Sequence, residues 1–352
     1  MARPGPLRVR VVEVIRETPD AHSLVLEPLH EEGAGEEAFA YAPGQFLTVR
    51  VPSGSGTGTA RCYSLCSTPL GDEKPKITVK RTVGGHGSNW ICDHVVEGHT
   101  LDVLRPAGTF TPASLDEDLL LLAGGSGITP VLSILKSVLR GGSGSVTLVY
   151  ANRDEGSVIF RDELASLAAE FGERCTVVHW LESVQGLPHA AGLRALTEPY
   201  ARRRAFVCGP APFMELATAT LDGLGVERDR VCVERFTSLS GDPFAAGEPD
   251  PAGAEQDAGG PASTVEVELD GETTQVAWPR GRKLLDALLD AGLDAPYSCR
   301  EGACSACACV LTDGEVTLER NEILDQRDLD DGLVLACQAL PLSERLRVTY
   351  DG

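Results

Sequence analysis

Residues 299–310 read CREGACSACACV, which places Cys299, Cys304, Cys307 and Cys309 within eleven residues. So many thiols in so short a run restrict what the surrounding chain can be. Thiolates are soft ligands, suited to zinc, copper(I) or iron–sulfur centres. Zinc sites tend to use two C-x2-C knuckles, and this segment has one such pair. The spacing Cys299-x4-Cys304-x2-Cys307 is instead that of a plant-type [2Fe–2S] site, which takes a fourth cysteine from far downstream. Cys337, in LACQAL, is the one cysteine beyond the loop and is the expected fourth ligand. Cys309 is then the spare, expected to be buried as a small apolar residue. Gly302, Ala303, Ser305 and Ala306 are all small, so backbone N–H groups can approach inorganic sulfide and help set a potential.

The rest of the chain must supply electrons to such a centre. At 352 residues it is too long for one ordinary core and suggests two or three domains. No stretch approaches the roughly 20 apolar residues that span a bilayer, and the longest apolar run, LLLLA at 119–123, is strand-sized. MARPGPLRVRVVEV lacks an apolar signal core, so a cytoplasmic, non-membrane protein is expected. Eleven cysteines, odd in number and unevenly spread, suit a reducing compartment better than a disulfide framework. The net charge of −21 argues against a nucleic-acid partner. From residue 264 onward there are 18 acidic and 8 basic residues. That excess serves either solubility or the steering of a partner with a basic docking patch.

Residues 238–263, SLSGDPFAAGEPDPAGAEQDAGGPAS, have little to bury and are expected to form a flexible linker. After it, VEVELDG and TTQVAW alternate like a hairpin, and KLLDALLDAG reads as a short amphipathic helix ending at Gly292. Residues 264–352 are therefore expected to be a compact α+β domain around the cysteine loop. Residues 1–113 are strand-like, with turns at YAPGQF, SGSGTGT and VGGHG, which suggests a small antiparallel barrel. Residues 114–237 alternate strands (DLLLLAG, SVTLVYAN, CTVVHWL, RAFVCGP) with helical stretches, the pattern of a parallel α/β sheet.

A one-electron cluster cannot accept a hydride, and flavin chemistry converts two electrons into single ones. Arg61-Cys62-Tyr63-Ser64 follows a Gly-rich turn and, by alternation, sets an aromatic face beside a fixed positive charge. In KITVKRTVGGHGSNWICD, Gly84, Gly85 and Gly87 free the backbone to cradle phosphate, and Ser88 and Asn89 open an expected helix. In DLLLLAGGSGITP a strand runs into a turn with Gly124, Gly125 and Gly127. Thr129 and Pro130 follow in the first helical turn, where proline is at home. Such a turn lets a pyrophosphate reach a helix N-terminus. FVCGPAPFME gives a second strand end at Cys208-Gly209-Pro210.

Together and in this order these motifs resemble the ferredoxin–NADP reductase superfamily, while residues 264–352 resemble plant-type ferredoxins with their β-grasp fold. The resemblance implies that Arg61 binds flavin phosphate, Tyr63 stacks on the isoalloxazine and Ser64 lies near N5. It implies that Val79, Lys80, Gly87, Ser88 and Asn89 extend to the pyrophosphate, hence FAD over FMN. It places the turn Cys208-Gly209-Pro210 by the nicotinamide, with Cys208 near its reactive carbon, and it implies that Glu234-Arg235-Phe236, which ends the domain, folds back near the flavin. The domain order is similar to reductase components of multicomponent oxygenases. The stretches RCYSLCSTP, VKRTVGGHGSNWICDHV, LVYANRDEGSVIF and CREGACSACAC are most similar to reductases of 3-ketosteroid 9α-hydroxylases, then to those of phenylacetyl-CoA epoxidases. The expected partner is thus a terminal oxygenase, Rieske or di-iron. For the donor, Arg153 suits a 2′-phosphate, whereas Asp154 and Glu155 repel it or bond a free 2′-hydroxyl. NADH is the expected donor and NADPH the alternative. Trp90, Trp180 and Trp278 are expected in cores, His86 in a solvated loop, and Cys62, Cys66, Cys92, Cys175 and Cys232 as buried thiols.

Overall fold

The computed structural model describes residues 6–29, 39–52, 58–239, 241–244 and 262–351. The first part is built on the alternating segment β1 (Leu7–Thr18), which turns through Pro19-Asp20 into β2 (Ala21–Leu29). Inward residues such as Val9, Val11, Leu24 and Leu26 are buried, as the period-two pattern requires. With β3 (Phe46–Val51), β4 (Thr59–Ser64), β5 (Lys76–Lys80) and β6 (Thr100–Val103) they form one sheet in the order β4-β3-β6-β1-β2-β5. An antiparallel bridge from Leu65 to Ile77, with Cys66 N–H donating to the Lys76 carbonyl at 2.8 Å, brings the two ends of the sheet together. Helix α1 (His86–His94) starts two residues earlier than expected, so His86 is an exposed helix-start residue and not a loop residue. Of the expected turn SGSGTGT, residues 53–57 lie outside the described residues.

The next part is a five-stranded parallel sheet in the order β11-β10-β7-β8-β9. Its strands are β7 (Leu119–Gly124), β8 (Val146–Asn152), β9 (Cys175–Leu181), β10 (Arg204–Cys208) and β11 (Val231–Glu234). Every residue of β7 and β8 is buried, as expected for strands covered on both faces. Leu119 and Leu121 join one core with α2 (Ile128–Gly141) and α3 (Arg161–Phe171). Leu120 and Leu122 join another with α5 (Ala190–Thr197) and α6 (Ala211–Gly223), and a single turn, α4 (Glu182–Gln185), follows β9. The helices α4 and α5 are short, and neither is evident in the sequence.

The C-terminal part pairs β12 (Ser263–Leu269) with β13 (Glu272–Trp278) in the expected hairpin. Helix α7 (Leu284–Asp290) buries Leu284, Leu285 and Leu288. The remaining strands are β14 (Ala308–Asp313), β15 (Val316–Leu318), β16 (Leu333–Leu335), β17 (Ala339–Pro341) and β18 (Arg345–Thr349), with α8 (Gln326–Asp330) before β16. The main sheet runs β13-β12-β18-β14-β16 and is mixed, since β12 and β18 are parallel. Most of the expected linker lies outside the described residues. At its ends, Leu239 is buried, Gly241 N–H donates to the Glu301 carboxylate at 3.1 Å, and β12 already begins at Ser263. By compactness the chain divides into Leu7–Val51 with Cys62–Phe236, and Pro52–Arg61 with Thr237–Gly352. Among the described residues no helix is long and apolar enough to cross a membrane.

Candidate cofactor and electron-transfer sites

The loop between α7 and β14 reverses sharply around the cysteines. Arg300 and Ser305 take left-handed backbone conformations, and Gly302 does so at φ +77°. A Cβ on Gly302 would stand 2.6 Å from the Arg320 carbonyl oxygen, so only glycine fits there. Cys299, Cys304, Cys307 and Cys337 are all buried. Their sulfurs form a connected set: Cys299 hydrogen-bonds the thiols of Cys304 and Cys337, and Cys337 also meets Cys307. Backbone N–H groups point at them, from Cys299 to Cys304 Sγ at 3.3 Å and from Glu301 and Ala303 to Cys299 Sγ at 3.4 Å each. Cys337 N–H donates to Cys307 Sγ at 3.4 Å, and buried Gln338 gives its side-chain N–H to Cys337 Sγ at 3.6 Å. The Cys304 and Cys337 hydrogen bonds, then the Glu301 and Ala303 N–H groups, hold the Cys299 thiol well below its ordinary value. Sulfur lone pairs bathed in N–H donors suit thiolate ligands. Among the described residues no three acidic, His or Cys side chains are set for a single metal ion. Cys309 is buried in β14, where burial pushes its thiol well up.

At the C-terminal edge of the parallel sheet, β7 and β10 are neighbours, with Ala123 opposite Cys208. Their two turns meet backbone to backbone. A Cβ on Gly127 would lie 2.2 Å from the Cys208 carbonyl oxygen, which explains the glycine there. Thr129 Oγ1 donates to the Ser126 carbonyl at 3.0 Å and Pro130 sits in the first turn of α2. Buried Tyr150 braces the turn by donating to the Gly125 carbonyl at 2.9 Å. These turns open on a cavity of about 420 Å³ lined by Gly124, Gly125, Pro210, Lys80, Asn152 and Arg153, among others. Both polar atoms of the buried Asn152 amide lack a partner, and a ligand in the cavity would satisfy them. Arg153 is exposed and ion-paired with Asp20 at 3.1 Å. Asp154 opens the turn after β8, its backbone N–H donating to Ser157 Oγ at 3.1 Å and its carbonyl accepting from that hydroxyl at 2.8 Å. The Cys208 thiol is enclosed and held well above its ordinary value by burial. Opposite it in register on β11 stands Glu234, whose carboxyl burial pushes up to about 8. By surface exposure Glu234 itself is half-buried.

In the barrel, Ser64 Oγ is buried with no partner. A buried hydroxyl left alone is costly unless a bound group meets it. Tyr63 packs at the edge of the barrel core. Arg61 spends one guanidinium nitrogen on Thr59 Oγ1, the Ala60 carbonyl and the Leu239 carbonyl, at 3.0, 2.6 and 2.9 Å. Val79 points into the core, so its backbone alone faces outward. Ser88 Oγ accepts from Thr82 N–H at 3.1 Å, and the Asn89 amide donates to the Gly85 carbonyl at 2.6 Å, so both side chains hold the glycine turn in shape. Gly87 is buried at the start of α1, and Phe236 is exposed beyond β11.

Models of three domain families match the chain. An oxidoreductase FAD-binding domain covers residues 10–111, an oxidoreductase NAD-binding domain 121–219, and a 2Fe-2S iron-sulfur cluster binding domain 267–342. The ferredoxin reductase component of 3-ketosteroid-9-alpha-monooxygenase from Mycolicibacterium smegmatis is 53% identical, over 98% of this chain and 97% of that protein. The chain belongs to this family of oxygenase ferredoxin reductases. One component of the 1,2-phenylacetyl-CoA epoxidase of Escherichia coli is 33% identical over 97% of this chain and 96% of that one. The solved structure of phthalate dioxygenase reductase aligns with a TM-score of 0.59 at 26% identity, covering 98% of both chains.

The reductase is thus an oxidoreductase with FAD, NAD and [2Fe–2S] domains on an antiparallel barrel, a parallel α/β sheet and a C-terminal ferredoxin domain. Sequence reasoning missed Asp20, Tyr150 and Gln338, and it named Asn152 and Glu234 only as members of their segments, with no role of their own. The one signal for them was adjacency, in that Asn152 precedes Arg153 and Gln338 follows Cys337. Cys66 and Cys175 are buried as expected, whereas Cys62, Cys92 and Cys232 are only half-buried. Trp180 and Trp278 are core residues, and Trp90 is half-buried and stacked on His94 at 5.5 Å.

Proposed function

We propose that this reductase delivers electrons from NADH to the Rieske-type oxygenase of a cytoplasmic 3-ketosteroid 9α-hydroxylase. Bound flavin supplies the conversion of a hydride into single electrons, and the [2Fe–2S] cluster supplies a one-electron carrier. The chain's residues do the rest. The backbone contact between the Gly124–Gly127 turn and the end of β10 is the observation that carries the reading, because it joins a pyrophosphate cradle to a shielded thiol. Gly124, Gly125, Gly127, Thr129 and Pro130 hold the nucleotide's pyrophosphate at the head of α2. Cys208, Gly209 and Pro210 form the floor under the nicotinamide, and Phe236 belongs to the segment beside the flavin. Cys208 and Glu234 would present uncharged side chains at this end of the sheet.

Arg61, Tyr63 and Ser64 would hold the flavin, and the unpartnered Ser64 hydroxyl is available to bond it. Val79, Lys80, Gly87, Ser88 and Asn89 shape the place for its pyrophosphate, and Arg153 lies at the adenosine end of the nicotinamide nucleotide. Cys299, Cys304, Cys307 and Cys337 ligate the iron. The domain limits that go with this reading are 1–113, 114–237 and 264–352, with 238–263 as linker. The oxygenase assignment rests on the similarity to the ketosteroid reductases and is tested by reconstitution. Holoenzyme is mixed with a Rieske-type ketosteroid oxygenase, and separately with the di-iron oxygenase of a phenylacetyl-CoA epoxidase. Product formed per NADH should be near one with the first and near zero with the second; the reverse would assign the chain to the epoxidase.

A further inference from the structure

Asp20 belongs to the barrel, in the two-residue turn between β1 and β2, but its carboxylate reaches the nucleotide domain. One oxygen, Oδ1, accepts from the hydroxyl of buried Thr18 at 2.8 Å. The turn's backbone is held by Arg81 N–H, which donates to the Asp20 carbonyl at 2.7 Å. The other oxygen, Oδ2, faces two cations: Arg153 Nη2 at 3.1 Å and Lys80 Nζ at 3.9 Å. Both cations line the cavity that opens on the Gly124–Gly125 turn, and Lys80 Nζ stands 3.8 Å from where a Cβ of Gly125 would be. The acid is thus fixed in place by its own turn and aimed at the arginine beside the end of β8. Glu182, on α4, also lines this cavity.

We propose that Asp20 selects the coenzyme: by occupying Arg153 it denies a 2′-phosphate its guanidinium partner and so favours NADH over NADPH. This rests on reading the cavity as the nicotinamide-nucleotide site. A 2′-phosphate is a strong acceptor that pairs well with a free guanidinium. Here it must first displace a carboxylate and then sit close to it. Arg153 is largely exposed, so the pair is worth little as a stabiliser and its loss leaves the fold intact. Its weight lies in selection, because like charge beside a ligand discriminates against that ligand.

The test uses holoenzyme titrated calorimetrically with ADP-ribose and with 2′-phospho-ADP-ribose, alongside anaerobic reduction by NADH and NADPH. Asp20→Asn should bind the 2′-phosphorylated ligand roughly tenfold more tightly, with ADP-ribose unchanged within about twofold. The gain should vanish in Asp20→Asn/Arg153→Gln and shrink as salt is raised. Asp20→Ser, which keeps an acceptor for Thr18, should behave as Asp20→Asn does. An unmoved ratio between the two ligands in both variants overturns the proposal. So does a gain that persists without Arg153. If wild-type holoenzyme bound neither ligand, the reading of the cavity would fall and the proposal with it.

Discussion

Glu234 shows how much one side chain's surroundings decide its chemistry. Burial holds its carboxyl at about 8, far above the ordinary 4.5, so it is neutral at pH 7. In the unfolded chain it ionises near 4.5. Its contribution to stability is therefore full below about 4.5 and is lost as pH rises through about 8. Glu234→Gln should flatten the melting-temperature profile between those limits, and an unchanged slope would show that the carboxyl is not held neutral. A second residue-scale prediction concerns Gly302, whose left-handed backbone and contact with the Arg320 carbonyl leave no room for a methyl. Gly302→Ala should lose most of its visible iron–sulfur absorbance after reconstitution while its flavin band stays at the wild-type level. At this scale the sequence was most informative where residue type alone carries the chemistry. Four thiols at fixed spacing and glycines at strand ends could be read directly. Asp20, Tyr150 and Glu234 could not, because each matters only through a neighbour supplied by another strand.

Among the elements, helix α2 has two faces that differ in how far they can be foreseen. VLSILKSVLR reads as helical, and its apolar face packs on the sheet as expected. Ser133, Lys136, Ser137 and Arg140 recur at helical spacing, a stripe that would ordinarily face water. Here it meets the barrel. Ser133 Oγ donates to the Ser67 carbonyl at 2.6 Å and Ser137 Oγ lies 2.7 Å from Thr68 Oγ1. Lys136, 1% exposed, reaches Asp72 and Glu163 at 2.6 Å each. No local rule reveals that a lysine will be buried, since the acids that compensate it lie on distant segments. Lys136→Met leaves both carboxylates without their shared cation and should destabilise this part of the protein by about 3 kcal/mol. Chemical denaturation followed by flavin fluorescence measures this. A loss below about 1 kcal/mol would show the acids are adequately served by water, Lys76 and Arg140. The polar seam also joins the barrel to the helix that follows the Gly124–Gly127 turn, so its loss should slow hydride transfer more than it weakens NADH binding.

For the whole molecule, the period-two front and the strand–helix alternation indicated a barrel and an α/β domain, while the cysteine spacing, the glycine turns and the family resemblance indicated an electron carrier; fold class and cofactors follow that outline. The stretch 245–261 lies outside the described residues. The charge has a consequence for exchange with partners. With −21 overall and 18 acids against 8 bases from residue 264 onward, a cationic acceptor is attracted and an anionic one repelled. Reduction of cytochrome c by the NADH-supplied holoenzyme should slow as salt rises from about 0.01 to 0.3 M, where screening lengths shrink several-fold. Reduction of ferricyanide should hold steady or quicken, and parallel trends would show that charge does not steer encounter. Above all, one chain is held to pass electrons from nicotinamide through flavin to the iron–sulfur centre. Anaerobic titration of holoenzyme with NADH, followed by visible absorbance, follows that path itself. Flavin and iron–sulfur bands should bleach together at low equivalents of NADH. A bleached flavin beside a fully oxidised cluster would contradict the internal relay.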